Sequence, residues 1–215
     1  PAIGGCCSTF EKDGYKFDVG ASIVEVIKPI EMAFAKLGTS FQQEVDLIEC
    51  DPVMCIIDRD GSRITLPKSI DATAEIISAI SPDDGRRWYQ YVELMREFTD
   101  VALEAFFPVA ADTLGDMAKM FAKHPKFLKF LPLFAKSYQD VMEYYFKDER
   151  IRKAMGYQSL YFGHPPALIP GMFALIPYTE HRGVYYPRGG MIQIPEAFRR
   201  CGERLGMQVR FGTRV

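Results

Sequence analysis

The 215 residues contain no uninterrupted apolar run approaching the roughly 18 residues that a membrane-spanning helix needs, although hydrophobic residues make up 48% of the chain. A surplus of one charge is missing too. Lys and Arg number 26 against 28 Asp and Glu, a formal net charge of -2, so the basic excess of a general nucleic-acid binder is absent and no nucleic-acid partner is expected. Histidine is scarce: His124, His164 and His181 fit no zinc spacing, and no metal site is expected. The five cysteines (Cys6, Cys7, Cys50, Cys55, Cys201) are odd in number and follow no disulfide framework, which suits free thiols in a reducing compartment. Internal repeats and low-complexity tracts are also lacking. What remains is the composition of a soluble globular protein large enough to bury a substantial core.

The chain opens on PAIGGCCSTF, without an initiator Met or a signal-peptide charge pattern, and closes on RFGTRV with alternation still in progress. It is read as an internal segment of a longer protein. Near the start, FEKDGYKF predicts a hairpin around Asp13-Gly14. Ile27, Ile30, Phe34 and Leu37 then predict a helix that stops at Gly38, with Pro29 as a break or first turn. FQQEVDLIEC, VMCIIDRDG and SRITLP read as three strands of one small antiparallel sheet, with Asp60-Gly61 joining the last two. From Ser69 to about Lys153 the pattern is helical, punctuated by Pro108, Pro125 and Pro132, and DERIRKAMGYQSLYFG reads as one more helix ending at Gly163. The last third reads as strand, helix, strand, with Ile194, Phe198, Cys201 and Leu205 on one stripe and alternation resuming at Val209 and Phe211.

Two stretches invite functional readings. In GVYYPRGGMIQIPEAFRR, Gly189 and Gly190 stand at the mouth of a helix, either as a tight turn or as a place where open N–H groups meet a ligand. Residues 117–138 hold Lys119, Lys123, Lys126, Lys129 and Lys136 among many Phe, Leu and Met, with no acid. Such a segment suits a peripheral membrane surface, with Lys123, Lys126, Phe127, Lys129 and Phe130 as the docking residues. It equally suits short core helices with a solvated lysine face.

Taken in order, GGCCSTFEKDGYKFDVGAS, DERIRKAMGYQSLYFGHPP and GVYYPRGGMIQIPEAF resemble the phytoene desaturase branch of the FAD-dependent amine-oxidase-like superfamily. The resemblance implies an α+β chain: a small mixed or antiparallel sheet with a mostly helical substrate domain, part of a larger Rossmann-type two-domain flavoprotein. Residues 1–40 and 183–215 would belong to the FAD-binding domain and residues 41–182 to the substrate-binding domain. The family's G-x-G-x-x-G would lie before Pro1, and the segment completing the flavin site after Val215, so the chain alone is expected to be inactive.

Gly4, Gly5, Asp18, Gly20, Ala21, Gly189, Gly190 and Val215 match positions that the family uses around FAD, whereas Cys6 replaces its usual Arg and Ala21 its frequent Pro. The implied reaction is desaturation of a long polyprenoid by a cytoplasmic, membrane-associated enzyme. Asp116 and Lys119 are candidates for acid–base work, against the plainer reading of a surface ion pair. Tyr185, Tyr186 and Arg188 are candidates for the substrate entrance. Related flavin enzymes (carotenoid isomerase, retinol saturase-like, amine oxidase) and a membrane-docking helical module without cofactor remain alternative readings.

Overall fold

The computed structural model describes residues 3–106 and 113–213. In chain order it contains a 3₁₀ turn (Gly5–Cys7), β1 (Thr9–Lys12), β2 (Tyr15–Asp18), β3 (Val24–Glu25), α1 (Lys28–Lys36), α2 (Phe41–Glu44), β4 (Leu47–Glu49), β5 (Met54–Ile57), β6 (Arg63–Leu66), α3 (Ile70–Ile80) and α4 (Pro82–Phe106). These are followed by α5 (Leu114–Lys123), a 3₁₀ segment (Pro125–Phe130), α6 (Leu131–Ala135), α7 (Tyr138–Tyr145), α8 (Glu149–Gly156) and a second 3₁₀ segment (Tyr157–Phe162). Two further 3₁₀ turns lead to α9 (Ile176–Arg182), β7 (Val184–Pro187) and α10 (Gln193–Arg204). The class is α+β, as the sequence implies. Pro108 lies outside the described residues.

The chain divides into two compact units, the first built from the segments up to Asp51 and from Gly183 onward, the second from Pro52–Arg182. In the first, β1 and β2 pair across a loop in which Asp13 (φ 53°) and Gly14 (φ 80°) are both left-handed, the type I′ geometry that Asp-Gly favours. Pro29 sits in the first turn of α1, where its missing N–H costs nothing. Three strands form the second sheet in the order β3-β7-β4, all antiparallel. Beside it, Phe34 stacks on Phe41 and on Phe198 of α10, with ring centroids 5.4 and 4.4 Å apart.

Sequence and structure part in three places here. FQQEVDLIEC is not one strand: the Ser40 hydroxyl accepts the N–H of Gln43 at 3.3 Å and starts a helical turn, leaving only Leu47–Glu49 extended. That strand pairs with β7 rather than β5, matching Leu47 to Pro187 and Ile48 to Tyr186, so 41–51 belongs to the first unit although the sequence division placed it beyond residue 40. Residues 207–213 form no strand, despite the alternation of Val209 and Phe211.

The second unit carries the β5–β6 hairpin and a helical core. Its centre is aromatic, with Trp88, Tyr91, Phe98, Tyr138 and Phe146 wholly buried. Helix α4 is the spine. Gly85 lets it lie against α3, because a Cβ there would stand 1.9 Å from Ser78 Oγ and 3.0 Å from Ser78 Cα. The neighbouring Asp84 is buried completely and accepts the N–H groups of Lys147 (2.9 Å) and Asp148 (2.8 Å), fixing the residue that caps α8. The segment 148–163 does end at a left-handed Gly163, but its second half is 3₁₀ rather than α.

Removing the Asp84 carboxylate leaves two N–H groups without their acceptor. Asp84→Ala is expected to lower stability by about 3 kcal/mol, with Asp84→Asn costing less, as read from urea unfolding midpoints. A midpoint unchanged in Asp84→Ala would show that water replaces the carboxylate without loss.

Candidate functional site

Asp18 closes β2, and its carboxylate gathers three other segments of the first unit. Oδ1 accepts the Met191 N–H at 2.9 Å and the Thr9 hydroxyl at 3.3 Å, and Oδ2 accepts the Tyr186 hydroxyl at 2.8 Å. The hairpin, β7 and the entrance to α10 are thereby tied to one anion, placed where the positive end of the helix dipole favours it. Donation to Asp18 is also the main cause that lifts the Tyr186 hydroxyl above its ordinary pKa, with burial and the carboxylate charge adding to it.

The glycines around this carboxylate are explained chiefly by the chain's own close approaches. Gly190 (φ 99°) lies so near that a Cβ would stand 3.0 Å from Asp18 Oδ1 and 3.1 Å from Thr9 Oγ1. At Gly20 a Cβ would meet the Cys6 carbonyl at 2.8 Å, and the adjacent Ala21 N–H donates to that same oxygen at 3.1 Å. A side chain on Gly4 (φ 127°) would press on Ile192 at 2.7 Å, and one on Gly189 (φ 97°) would approach Gln193 at 3.2 Å. Gly5 (φ 52°) differs, being exposed with nothing within 4 Å of its Cβ position. A left-handed backbone edge without a side chain is what close approach by a phosphate requires. Gly5 therefore leaves room for a phosphate of a dinucleotide, whereas Gly4 packs on Ile192, Gly189 on Gln193 and Gly190 on Asp18. Val215 lies outside the described residues.

Of the three substrate candidates, only Tyr186 faces this centre. Alternation along β7 sends Tyr185 to the opposite face, among the apolar residues around Val24 and Phe34. Arg188 is exposed and paired with Asp46, its Nε 2.6 Å from Oδ2.

In the second unit, Asp116 lies in the first turn of α5 and completes the cap that Thr113 makes. Its Oδ2 accepts the Thr113 hydroxyl at 2.6 Å while its N–H donates back to Thr113 Oγ1 at 3.1 Å, and Lys119 lies 3.7 Å from Oδ1 as an exposed i,i+3 partner. The middle of the lysine-rich stretch is a 3₁₀ segment (Pro125–Phe130) that leads into α6. Phe127, Phe130 and Leu133 point inward (1%, 1% and 7% exposed), whereas Leu128, Leu131 and Phe134 point outward (52%, 45% and 38%). Phe127 and Phe130 are therefore core residues rather than docking residues in this fold. Lys123 and Lys126 are exposed, and Lys129 pairs with Glu97 at 2.5 Å.

Two features of this unit escape sequence reasoning. One is the buried Glu180 on α9, which accepts from Gln158 Nε2 at 3.0 Å and from the Tyr161 hydroxyl at 3.1 Å. Its only signal in the sequence is that it is the first charged residue after the uncharged run 165–179. The other is a cavity of about 400 Å³ bounded by α7, α8 and the 3₁₀ segment after it.

The Asp18–Tyr186 bond carries a pH signature. The raised native pKa makes its contribution complete below the ordinary value of 10.0 and lost as pH rises through the native value. The stability gap between the wild type and Tyr186→Phe, about 1 kcal/mol at neutral pH, is expected to narrow above that ordinary value in urea titrations. A gap flat with pH would show that the hydroxyl does not donate to Asp18.

The chain is similar to phytoene desaturases along almost its whole length. It is 31% identical to a phytoene desaturase of Cercospora nicotianae, covering 99% of this chain and 34% of that protein. A zeta-carotene-forming phytoene desaturase of Myxococcus xanthus is 27% identical, with 99% and 41% covered. The chain thus spans between a third and a half of the length of these relatives. Among solved structures, a putrescine oxidase variant (A394C) superposes with a TM-score of 0.50 at 17% identity, covering 95% of this chain and 42% of that one, which is a likeness of fold. Residues 1–215 match the description "Flavin containing amine oxidoreductase" from end to end, and the chain belongs to that family.

Proposed function

We propose that the protein carrying this chain is an FAD-dependent oxidoreductase that desaturates a long polyprenoid such as phytoene in carotenoid formation. The supporting observation is the similarity to phytoene desaturases over 99% of the chain, at 31% identity for the Cercospora nicotianae protein. When bound, FAD supplies a hydride acceptor. The chain's own part is to hold and orient. Gly4–Gly5 and Gly20–Ala21 form the cofactor-facing edge, Asp18 locks that edge to β7, and the Gly189–Gly190 turn keeps α10 close. The second unit supplies the apolar surface that takes the polyprenoid.

A substrate dissolved in a bilayer is reached from the bilayer surface. The outward stripe of Leu128, Leu131 and Phe134, flanked by the exposed Lys123, Lys126 and Lys136, has the apolar and cationic halves of a peripheral docking face. We assign membrane contact to this stripe, on the cytoplasmic side, with Phe127 and Phe130 supporting it from beneath.

The full-length protein is expected to show flavin absorbance and to convert phytoene supplied in liposomes. Flavin with amine turnover and no phytoene conversion would favour an amine oxidase instead, and absence of flavin would remove the oxidoreductase reading altogether. For docking, replacing Leu128, Leu131 and Phe134 together by Ser is expected to cut co-sedimentation with anionic liposomes at least about tenfold, since each buried aliphatic or aromatic side chain contributes about 1.5–3 kcal/mol. Unchanged co-sedimentation would place the docking face elsewhere.

A further inference from the structure

The cavity in the second unit holds about 400 Å³, within the range of about 300–1,000 Å³ usual for small-molecule sites. Its walls are apolar: Met142, Tyr157, Leu160, Pro165 and Pro166. The polar groups at its rim are already engaged. Lys153 pairs with Glu149 at 2.8 Å, Gln139 donates to Glu143 at 2.7 Å, and Arg152 donates to the carbonyl of Lys147 at 2.7 Å. A charged ligand would have to break these pairs and then shed its own hydration against apolar walls.

One lining residue stands apart. Ser159 is wholly buried, and its hydroxyl has no hydrogen-bond partner among the described residues. An unpaired buried hydroxyl costs about 1–3 kcal/mol, so a ligand that supplies a partner recovers that amount while a pure hydrocarbon does not. In the observed rotamer the oxygen is closed off, and rotation about χ1, without moving the backbone, is what turns it toward the cavity. The backbone here is itself anchored, because the neighbouring Gln158 and Tyr161 are held by Glu180.

We propose that this cavity binds an apolar chain ending in a single hydroxyl or carbonyl oxygen, with Ser159 as the group that meets the oxygen. The ligand is therefore distinct from phytoene, which carries no oxygen. The choice of a polyprenoid for the chain rests on the function proposed above, whereas the oxygen rests on the cavity alone.

The test is equilibrium dialysis of the full-length protein against labelled geranylgeraniol and against its hydrocarbon counterpart lacking the hydroxyl. The alcohol is expected to bind about tenfold more tightly, and Ser159→Ala to bring the two within about twofold. Gly156 supplies the second arm. A Cβ there meets only Pro166 Cγ, at an ordinary 3.5 Å, so Gly156→Leu is expected to fill the cavity and weaken both probes about tenfold or more. Circular dichroism and flavin content serve as folding checks. Equal binding of the two probes by the wild type, a preference that survives Ser159→Ala, or a Gly156→Leu protein that binds both as before would each overturn the proposal. Flavin and phytoene turnover without an alcohol preference would sink this site and leave the desaturase reading standing. An alcohol preference without flavin would do the reverse.

Discussion

The first unit depends on one carboxylate. Asp18 accepts from a residue 9 positions away (Thr9) and from two others 168 and 173 positions away (Tyr186 and Met191), so a single anion joins the two ends of the described chain into one body. Three donors saturate most of its acceptor capacity, and each is a polar group that would otherwise lose water without return. The positive φ at Gly190 and the missing side chain there follow from the same contact, because any Cβ would crowd Asp18 and Thr9. What looks from the sequence like a glycine-rich ligand motif is in large part the space that this carboxylate requires.

The second unit uses the same device with a different geometry. Asp84 is wholly buried and holds the backbone amides of Lys147 and Asp148, two residues more than 60 positions away. Both carboxylates serve backbone N–H groups that no regular ladder or helix reaches. The aromatic core that surrounds Asp84's helix then fills around a fixed frame, with Trp88 closed by its own bond from Nε1 to the Ile70 carbonyl at 3.0 Å. Apolar packing supplies the bulk of the burial, and the carboxylates select which segments meet.

Local chemistry was legible wherever a short stretch decides its own conformation. Asp13-Gly14 and Asp60-Gly61 gave their turns, Pro29 and Gly38 bounded α1, and the ordered motifs carried the family. The readings that failed depend on partners far away in sequence. The strand 47–49 looks like a neighbour of β5 until β7, some 140 residues later, takes its edge. Phe127 and Phe130 read as surface aromatics because a pattern of basic and apolar residues does not reveal whether the winding is α or 3₁₀. In the 3₁₀ segment they fall on the inner face and Leu128 on the outer one, which Leu131 and Phe134 of α6 continue. Neither the burial of Asp84 nor the cavity beside α8 has any local mark in the sequence.

The long reach of Asp18 also orders events in time. At a synthesis rate of about 5–20 residues per second, the strand bearing Tyr186 leaves the ribosome on the order of ten to thirty seconds after the N-terminal hairpin. During that interval Asp18 has neither the Tyr186 hydroxyl nor the Met191 N–H to accept from. The contiguous segment Pro52–Arg182 emerges whole in the meantime, so its low-separation helix contacts are available before the first unit can close. Nascent chains stalled before residue 184 would accordingly hold Asp18 with Thr9 but without Tyr186 or Met191, and the first unit would close only with the arrival of β7.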